Sequence, residues 1–377
     1  MRIHSITWLL IIQYVKGNKY AEHYESMWNQ LLDQMSFEEQ AYMIVNSYHW
    51  IHGAMSISLP ETRQENGPVG ITKRLEAFFS LPNDEKIKGE NGTDWIWVAY
   101  PCAGIIAASF NNDIAKSVGA HKSEDMLYLG YNGIYGPGVN MHRSPFGGRA
   151  FEYPSEDPYL AGYIEANETL GIESKGCLAY AKHFALNDFE TNRVNCGVWS
   201  LEQASREIYL KPFEIVFTIG KASATMNSYT RVGTKWNGAC KEMMTNILRD
   251  EWGYDGLTIS DWDHDGSAMS KIDGVLAGTD TFDGNKTAAE LVKYQDNAAV
   301  AQAMRTAARR IIFNVIHTNA MNGMTSKTKV IPVTPWWQTG LVMIQVSFGV
   351  ITGAFGGLLV YSIIKNQLPK KKEETVN

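Results

Sequence analysis

Cysteine is scarce in this chain. Cys102, Cys177, Cys196 and Cys240 are the only four in 377 residues, and they lie far apart. There is no CxxC pair and no Cys/His pair at zinc spacing. That argues against a thiolate metal centre and for buried free thiols. Clustered basic charge is missing too. The 34 lysines and arginines against 40 acids give a net charge of −6, and apart from the C-terminus they are scattered. Nothing here has the footprint of a nucleic-acid binder. No glycine-rich phosphate loop follows a first strand, so a nucleotide or dinucleotide fold is disfavoured. No cofactor signature is present and no cofactor is expected. With 45% hydrophobic and 20% charged residues, the chain can bury a large core and wholesale disorder is not expected.

Long uncharged runs are lacking, with one exception. Residues 339–364, TGLVMIQVSFGVITGAFGGLLVYSII, carry no charge. At ~1.5 Å per residue a ~30 Å hydrocarbon layer needs ~20 residues, so this run is long enough to cross. Trp336 and Trp337 precede it, Tyr361 lies at its other end, and Lys365 and then Lys370, Lys371 and Lys372 follow. Aromatic residues belong at the membrane interface and lysines on the cytoplasmic side. The expectation is a single-pass protein of the cell membrane, with a span over 336–364 and a basic cytoplasmic tail over 365–377. Residues 1–335 would then lie outside. A buried core helix is the competing reading. Gly349, Gly353, Gly356 and Gly357 would allow close helix approach, but glycine is common in spans. Residues 1–19 are ambiguous. Ser5–Val15 follows Arg2 and is apolar like the core of a signal peptide, yet no small-x-small cleavage site follows; a first core element is equally consistent.

Residues 20–316 alternate strand and helix signals. The apolar runs GCLAYA (176–181), SATMNSY (223–229) and GLTIS (256–260) are short and end in polar residues. Between them lie SLEQASREIYLKPFEIVFTIG, with Ser200 and Gln203 spaced as a capping box, and CKEMMTNILRDEWG, which ends at Gly253. SEDP, residues 155–158, reads as another helix start. This alternation predicts an α/β fold, a (β/α)8 TIM-like barrel with insertions, for which ~250 residues are typical. An open doubly wound sheet is the alternative. Residues 317–335 read as a linker.

In such barrels the chemistry sits at the C-terminal ends of the strands. Lys182, His183, Tyr229 and Asp261 fall at or just after the ends of apolar runs and would meet on one rim. Arg193 closes AKHFALNDFETNR (181–193), and Arg149 lies in NMHRSPFGGRAFEYPSEDPYLAG (140–162). Several cationic donors around a carboxylate suit sugar hydroxyls, and they hold the carboxylate ionised. DWDHDG also matches the first half of a calcium loop through Asp261, Asp263, Asp265 and Gly266. Ile272 stands where that loop needs its bidentate glutamate, so no metal is expected.

Those two stretches, with REIYLKPFE, MNSY and SDW, resemble glycoside hydrolase family 3, the family of many β-glucosidases and β-xylosidases, over residues 25–316. The resemblance implies that Asp261 is the nucleophile of a retaining mechanism. It puts family sugar-binding positions on Arg149, Lys182, His183, Arg193, Tyr229 and Trp262, with Trp262 as an apolar wall. Met226 holds the family's methionine position, though a plain core methionine is an equal reading. The implied substrate is a β-linked glucoside or xyloside. Two departures stand out. Asn66, in ENGP, replaces the aspartate of the family's DGP segment. A neutral acceptor there weakens sugar binding by ~1–2 kcal/mol. The acid/base is also missing: two-domain members take it from a separate sandwich domain, and single-domain relatives from a His in a KHFPGHG-type loop, which here reads KHFALND. Glu190 is near in sequence but is not assigned the role. The leading expectation is a membrane-anchored, β-glucosidase-like hydrolase whose acid comes from a further domain or partner chain. The rivals are a catalytically silent, membrane-anchored carbohydrate-binding protein and an interaction scaffold.

Overall fold

The computed structural model describes residues 21–47, 49–71, 98–194, 196–263, 268–284, 288–321 and 336–367. Ser5–Val15, Asp265, Gly266 and the lysines 370–372 lie outside the described residues. The chain divides into two units, Met1–Gly323 and Met324–Asn377.

The first unit is a TIM-barrel-like α/β domain. Its strands are β1 (Val45–Ser47), β2 (Trp50–Ile51), β3 (Thr62–Asn66), β4 (Gly133–Tyr135), β5 (Leu178–Phe184), β6 (Gly197–Val198), β7 (Ala224–Asn227), β8 (Arg231–Val232), β9 (Lys235–Trp236), β10 (Leu257–Ile259) and β11 (Phe282–Gly284). Six of them form one sheet in the order β10-β7-β5-β4-β3-β2. From β3 to β10 the neighbours are parallel. Single parallel bridges, Ile259 to Thr281 and Asp263 to Gly284, carry the pairing from β10 to β11, and β11 pairs in parallel with β1. β1 leads almost directly into β2, so the order comes back on itself. The alternative of an open doubly wound sheet does not fit this return.

A strict (β/α)8 alternation fails at the start of the ring. β2 pairs antiparallel with β3, and no helix separates β1, β2 and β3 among the described residues. The connection explains it. Parallel neighbours need a crossover of a dozen or more residues, and here the chain folds back through a tight turn, closed by Ala54 pairing with Leu59. From β4 onward the expected helices are present. Pro158–Glu173 precedes β5, Lys211–Thr218 precedes β7, Glu242–Glu251 precedes β10 and Lys271–Ala277 precedes β11. The predicted start at SEDP holds: the Asp157 carboxylate accepts the N–H groups of Tyr159 and Leu160, each at 2.8 Å, with Pro158 at the first helical position. The predicted capping box at Ser200 does not form. That helix begins at Glu202 behind Leu201, and the Ser200 hydroxyl donates to the Leu201 carbonyl instead.

Every residue of β5 is buried, as expected of a strand covered on both faces. The largest core joins Leu178, Tyr180, Ala224, Leu257 and Ile259 to Ile311 and Ile312 of helix Ala298–Val315. Helices Asn112–Tyr128 and Pro158–Glu173 touch backbone to backbone. A Cβ on Gly171 would lie 2.0 Å from the Lys116 carbonyl oxygen. The stretch expected to be linker begins as part of the domain. The Asn319 N–H donates to the Gly176 carbonyl at 2.8 Å, and its side-chain oxygen accepts from Asn132 at 2.8 Å. All four cysteines are free, with Cys177 and Cys240 buried.

The second unit contains helix Trp336–Gln367, of which Trp336–Ile364 has a mean hydropathy of 1.8 and is long and apolar enough to cross a membrane.

One buried charge ties the barrel to its outer helices. Asp280 is fully buried. It accepts from Arg249 at 2.7 Å and from the Thr258 N–H at 2.9 Å, and pairs with Arg310 at 3.1 Å. Removing one partner of a buried pair costs about 3–5 kcal/mol, because the other charge is stranded. Asp280→Ala should therefore lower the unfolding free energy by about that amount in urea titrations followed by tryptophan fluorescence. A loss below about 1 kcal/mol would show that the network is not structural.

Candidate active site

The rim is built around the end of β5. The register against β7 slips between Lys182 and Phe184, and the Asn140 side chain clamps the irregular backbone. It accepts the His183 N–H at 2.7 Å and donates to the His183 carbonyl at 3.1 Å. The peptide bonds Lys182–His183 and Phe184–Ala185 are cis. The His183 ring lies by the end of β10, with its Nε2 3.7 Å from Oδ2 of Asp261.

His183 is 1% exposed. Burial pushes its pKa well below the usual value, and the cations Arg149, Lys182 and Arg193 push it further, so the ring is neutral. Its Nδ1 is 3.2 Å from the Tyr153 hydroxyl. A neutral ring carries one proton. A bare Nε2 facing a carboxylate would be repulsive, so we assign the proton to Nε2, which leaves Nδ1 an acceptor that shares the Tyr153 hydroxyl proton with the Asn187 carbonyl at 3.2 Å.

Asp261 uses one oxygen locally: Oδ1 accepts the Trp262 N–H at 2.7 Å. Oδ2 makes no hydrogen bond among the described residues and faces His183. A carboxylate oxygen with unused lone pairs is what a nucleophile requires.

Cations and acceptors surround this pair. Lys182 Nζ is 3.3 Å from Oδ1 of Asn66 and 4.0 Å from Oε2 of Glu152. Burial pushes the Lys182 pKa down to about 8, against the attraction of Glu152. Arg149 donates through Nε to Glu152. Burial opposes its charge, but Tyr153, Glu152 and Asp261 more than compensate and raise its pKa. The Arg193 guanidinium lies 4.4 Å over the ring of Tyr229 and pairs with Glu190 at 2.8 Å. Tyr229 donates to the Trp262 carbonyl, and burial, then Asp261, raise its pKa. Trp262 is half-buried and packs on the main core.

Of the residues singled out from sequence, Arg149, Lys182, His183, Arg193, Tyr229, Trp262, Asn66 and Asp261 are thus linked by direct contact or by mutual charge. Met226 sits opposite Lys182 on β7 at 3% exposure, within the main core. Glu190 is occupied by Arg193 and by Asn187, which donates to it at 3.0 Å. Sequence reasoning missed Glu152, Tyr153, Asn140 and Asn187. For Glu152 a signal existed: it lies three residues after Arg149, the spacing of a one-turn ion pair. Among the described residues no three His, Cys, Asp or Glu side chains are grouped to hold a metal ion.

Comparison with known proteins decides the family. The family described as "Glycosyl hydrolase family 3 N terminal domain" matches residues 96–275. The chain carries a glycoside hydrolase family 3 domain. Beta-glucosidase A of Butyrivibrio fibrisolvens is 35% identical over 244 residues, which are 65% of this chain and 27% of that protein. An exo-alpha-(1->6)-L-arabinopyranosidase of Bifidobacterium longum is 35% identical over 62% of this chain and 30% of its own length. The chain therefore spans less than a third of either relative. Among solved structures, a family 3 β-glucosidase of Bifidobacterium adolescentis superposes with a TM-score of 0.68 at 27% identity, over 80% of this chain and 42% of that one. Beta-glucosidase 3B of Thermotoga neapolitana gives a TM-score of 0.70 at 24% identity and supports the fold alone. Asn66 lies outside the span matched to family 3, and so does the strand β11.

The Lys182 charge yields a test that needs no substrate. The unfolded chain holds this proton up to about pH 10.5, the folded domain only to about 8. Between those values the unfolded state binds more protons, so stability rises with pH on account of this residue, by about 3 kcal/mol in all. Lys182→Met removes that rise. Relative to the parent, it should lose about 3 kcal/mol between pH 7.5 and pH 10.5 in denaturant melts. A difference that stays constant with pH would place the Lys182 titration outside this range.

Proposed function

We propose that this chain is the nucleophile-bearing part of a retaining β-glycosidase held at a membrane. The observation that carries the reading is Oδ2 of Asp261, which makes no hydrogen bond among the described residues, faces a neutral His183 and is flanked by Arg149, Lys182 and Arg193. In this reading the sugar ring rests on Trp262, and the cations and Asn66 take its hydroxyls. Oδ2 attacks the anomeric carbon, the bond to the leaving oxygen breaks, and a second carboxyl gives that oxygen a proton. A glycosyl-enzyme results, and water deprotonated by the same carboxyl releases the sugar. The names of the relatives favour a β-linked glucoside or a related pyranoside.

The second carboxyl is the open question of the mechanism. Glu152 is tied to Arg149 and Lys182, and Glu190 to Arg193 and Asn187. We assign the role to a further domain or partner, as in two-domain family members. General acid–base help is worth ~10²–10⁴-fold and matters little for a leaving group that is already a stable anion. A dinitrophenyl β-glucoside should therefore label the protein with one hexose on the peptide containing Asp261, while an alkyl β-glucoside should scarcely react. Asp261→Asn should not label. Asn66 favours a second reading, a silent binder, because its neutral amide stands where the family has a carboxylate. Sugar binding without any label would select that reading. Rapid turnover of both substrates would mean an acid within this chain.

The helix Trp336–Gln367 would be the anchor, with the lysines after it in the cytoplasm and the barrel outside. Protease added to intact cells should then remove the barrel. Protection of the barrel with loss of the lysine tail would reverse the orientation.

A further inference from the structure

The barrel interior around Asp261 holds acids that the mechanism above does not use. Side chains alternate along a strand. On β11, Phe282 faces the outer helix, since its ring is what a Cβ on Gly274 would meet, so Asp283 faces the barrel interior. Asp283 is 2% exposed. Its Oδ1 accepts the backbone N–H of His49 at 3.2 Å, and the His49 ring pairs through Nδ1 with Glu65 of β3 at 3.3 Å. His49 adopts φ 64°, a left-handed conformation rare for a residue with a side chain. Such positions persist only where the surroundings fix them.

The same strand pair carries the nucleophile. The Ser260 hydroxyl accepts the Asp283 N–H at 2.9 Å and donates to the Asp261 carbonyl at 2.8 Å. The Asp263 N–H donates to the Asp283 carbonyl at 3.0 Å. Asp283 thus sits one strand away from Asp261, level with it and more deeply buried, and the two carboxylates feel each other's charge.

We propose that Asp283, held by His49 and Glu65, is a positioning residue for the glycosylation step: its negative charge beside Asp261 strengthens the nucleophile and favours the positive charge that develops on the sugar. This rests on Asp261 being the nucleophile. The groups that face Asp283 are His49 after β1, Tyr135 of β4, Tyr180 of β5, Tyr229 after β7 and Asp261 after β10, with Glu65 of β3 reached through His49. Burial pushes the Asp283 pKa up to about 6, and His49 opposes that rise. The charge therefore switches on as pH rises through about 6, the proton leaving to solvent.

The test follows the rate of glycosyl-enzyme formation from a dinitrophenyl β-glucoside against pH. In the parent the rate should climb about tenfold with a midpoint near pH 6, as expected for a second charge at close range. Asp283→Asn should stay at the low level throughout while the saturating sugar concentration is unchanged. His49→Gln removes the opposing partner, so its midpoint should move to higher pH. The same midpoint in all three proteins overturns the proposal. An infrared titration, which needs no turnover, should show in the difference between parent and Asp283→Asn one protonated-carboxyl band that vanishes over this range, over the common background of the buried Asp188, Glu173 and Glu165. Identical spectra also overturn it. A parent that forms no adduct at any pH refutes the nucleophile instead, and the infrared titration then decides whether Asp283 holds the proton.

Discussion

Lys182 is a cation buried at the end of a strand whose every residue is buried, and the rim is arranged around the cost of keeping it there. A buried charge is tolerated only with close partners. Glu152 supplies the countercharge and Asn66 a neutral acceptor. Glu152 in turn holds Arg149, which places a second cation beside Asp261. Burial, and then these cations with Arg193, keep His183 neutral, and a neutral His183 can offer an N–H to Asp261 without neutralising it. The electrostatics of the site form a chain in which each group sets the state of the next. None of them holds its state alone.

What local patterns encode was legible in the chain. The apolar runs at 176–181, 223–229 and 256–260 became β5, β7 and β10, and the helix start at SEDP became the cap at Asp157. Lys182, His183, Tyr229 and Asp261 could be named because they end those runs. The first two turns of the barrel were not legible. Whether β2 runs parallel or antiparallel is decided by whether the connection after it has room for a helix, and the apolar pattern of a two-residue strand carries no direction. The capping signal at Ser200 misled for a related reason: its spacing was right, but the helix began after Leu201.

Long-range partners were invisible for a different reason. His49 meets Asp283 across 234 residues of chain, and Asn66 meets Lys182 across 116. No spacing rule links such positions; only closure of the ring does. β1 and β11 pair in parallel in a short sheet of their own, which joins the beginning of the domain to its end. Met226 illustrates the limit from the other side. Its place opposite Lys182 is fixed by register, yet packing in the core already accounts for it.

The distribution of negative charge follows from the same closure. At the rim, Asn66 gives Lys182 an amide where family 3 resemblance leads one to expect a carboxylate, so one negative charge is absent beside the sugar hydroxyls. At the same strand ends, β3 and β11 add Glu65 and Asp283, both buried. A carboxylate sealed in the interior does not replace one open to solvent. Through a low-dielectric interior it still acts on Asp261 one strand away. In the reading proposed above, that interaction is felt most when the anomeric carbon becomes positive.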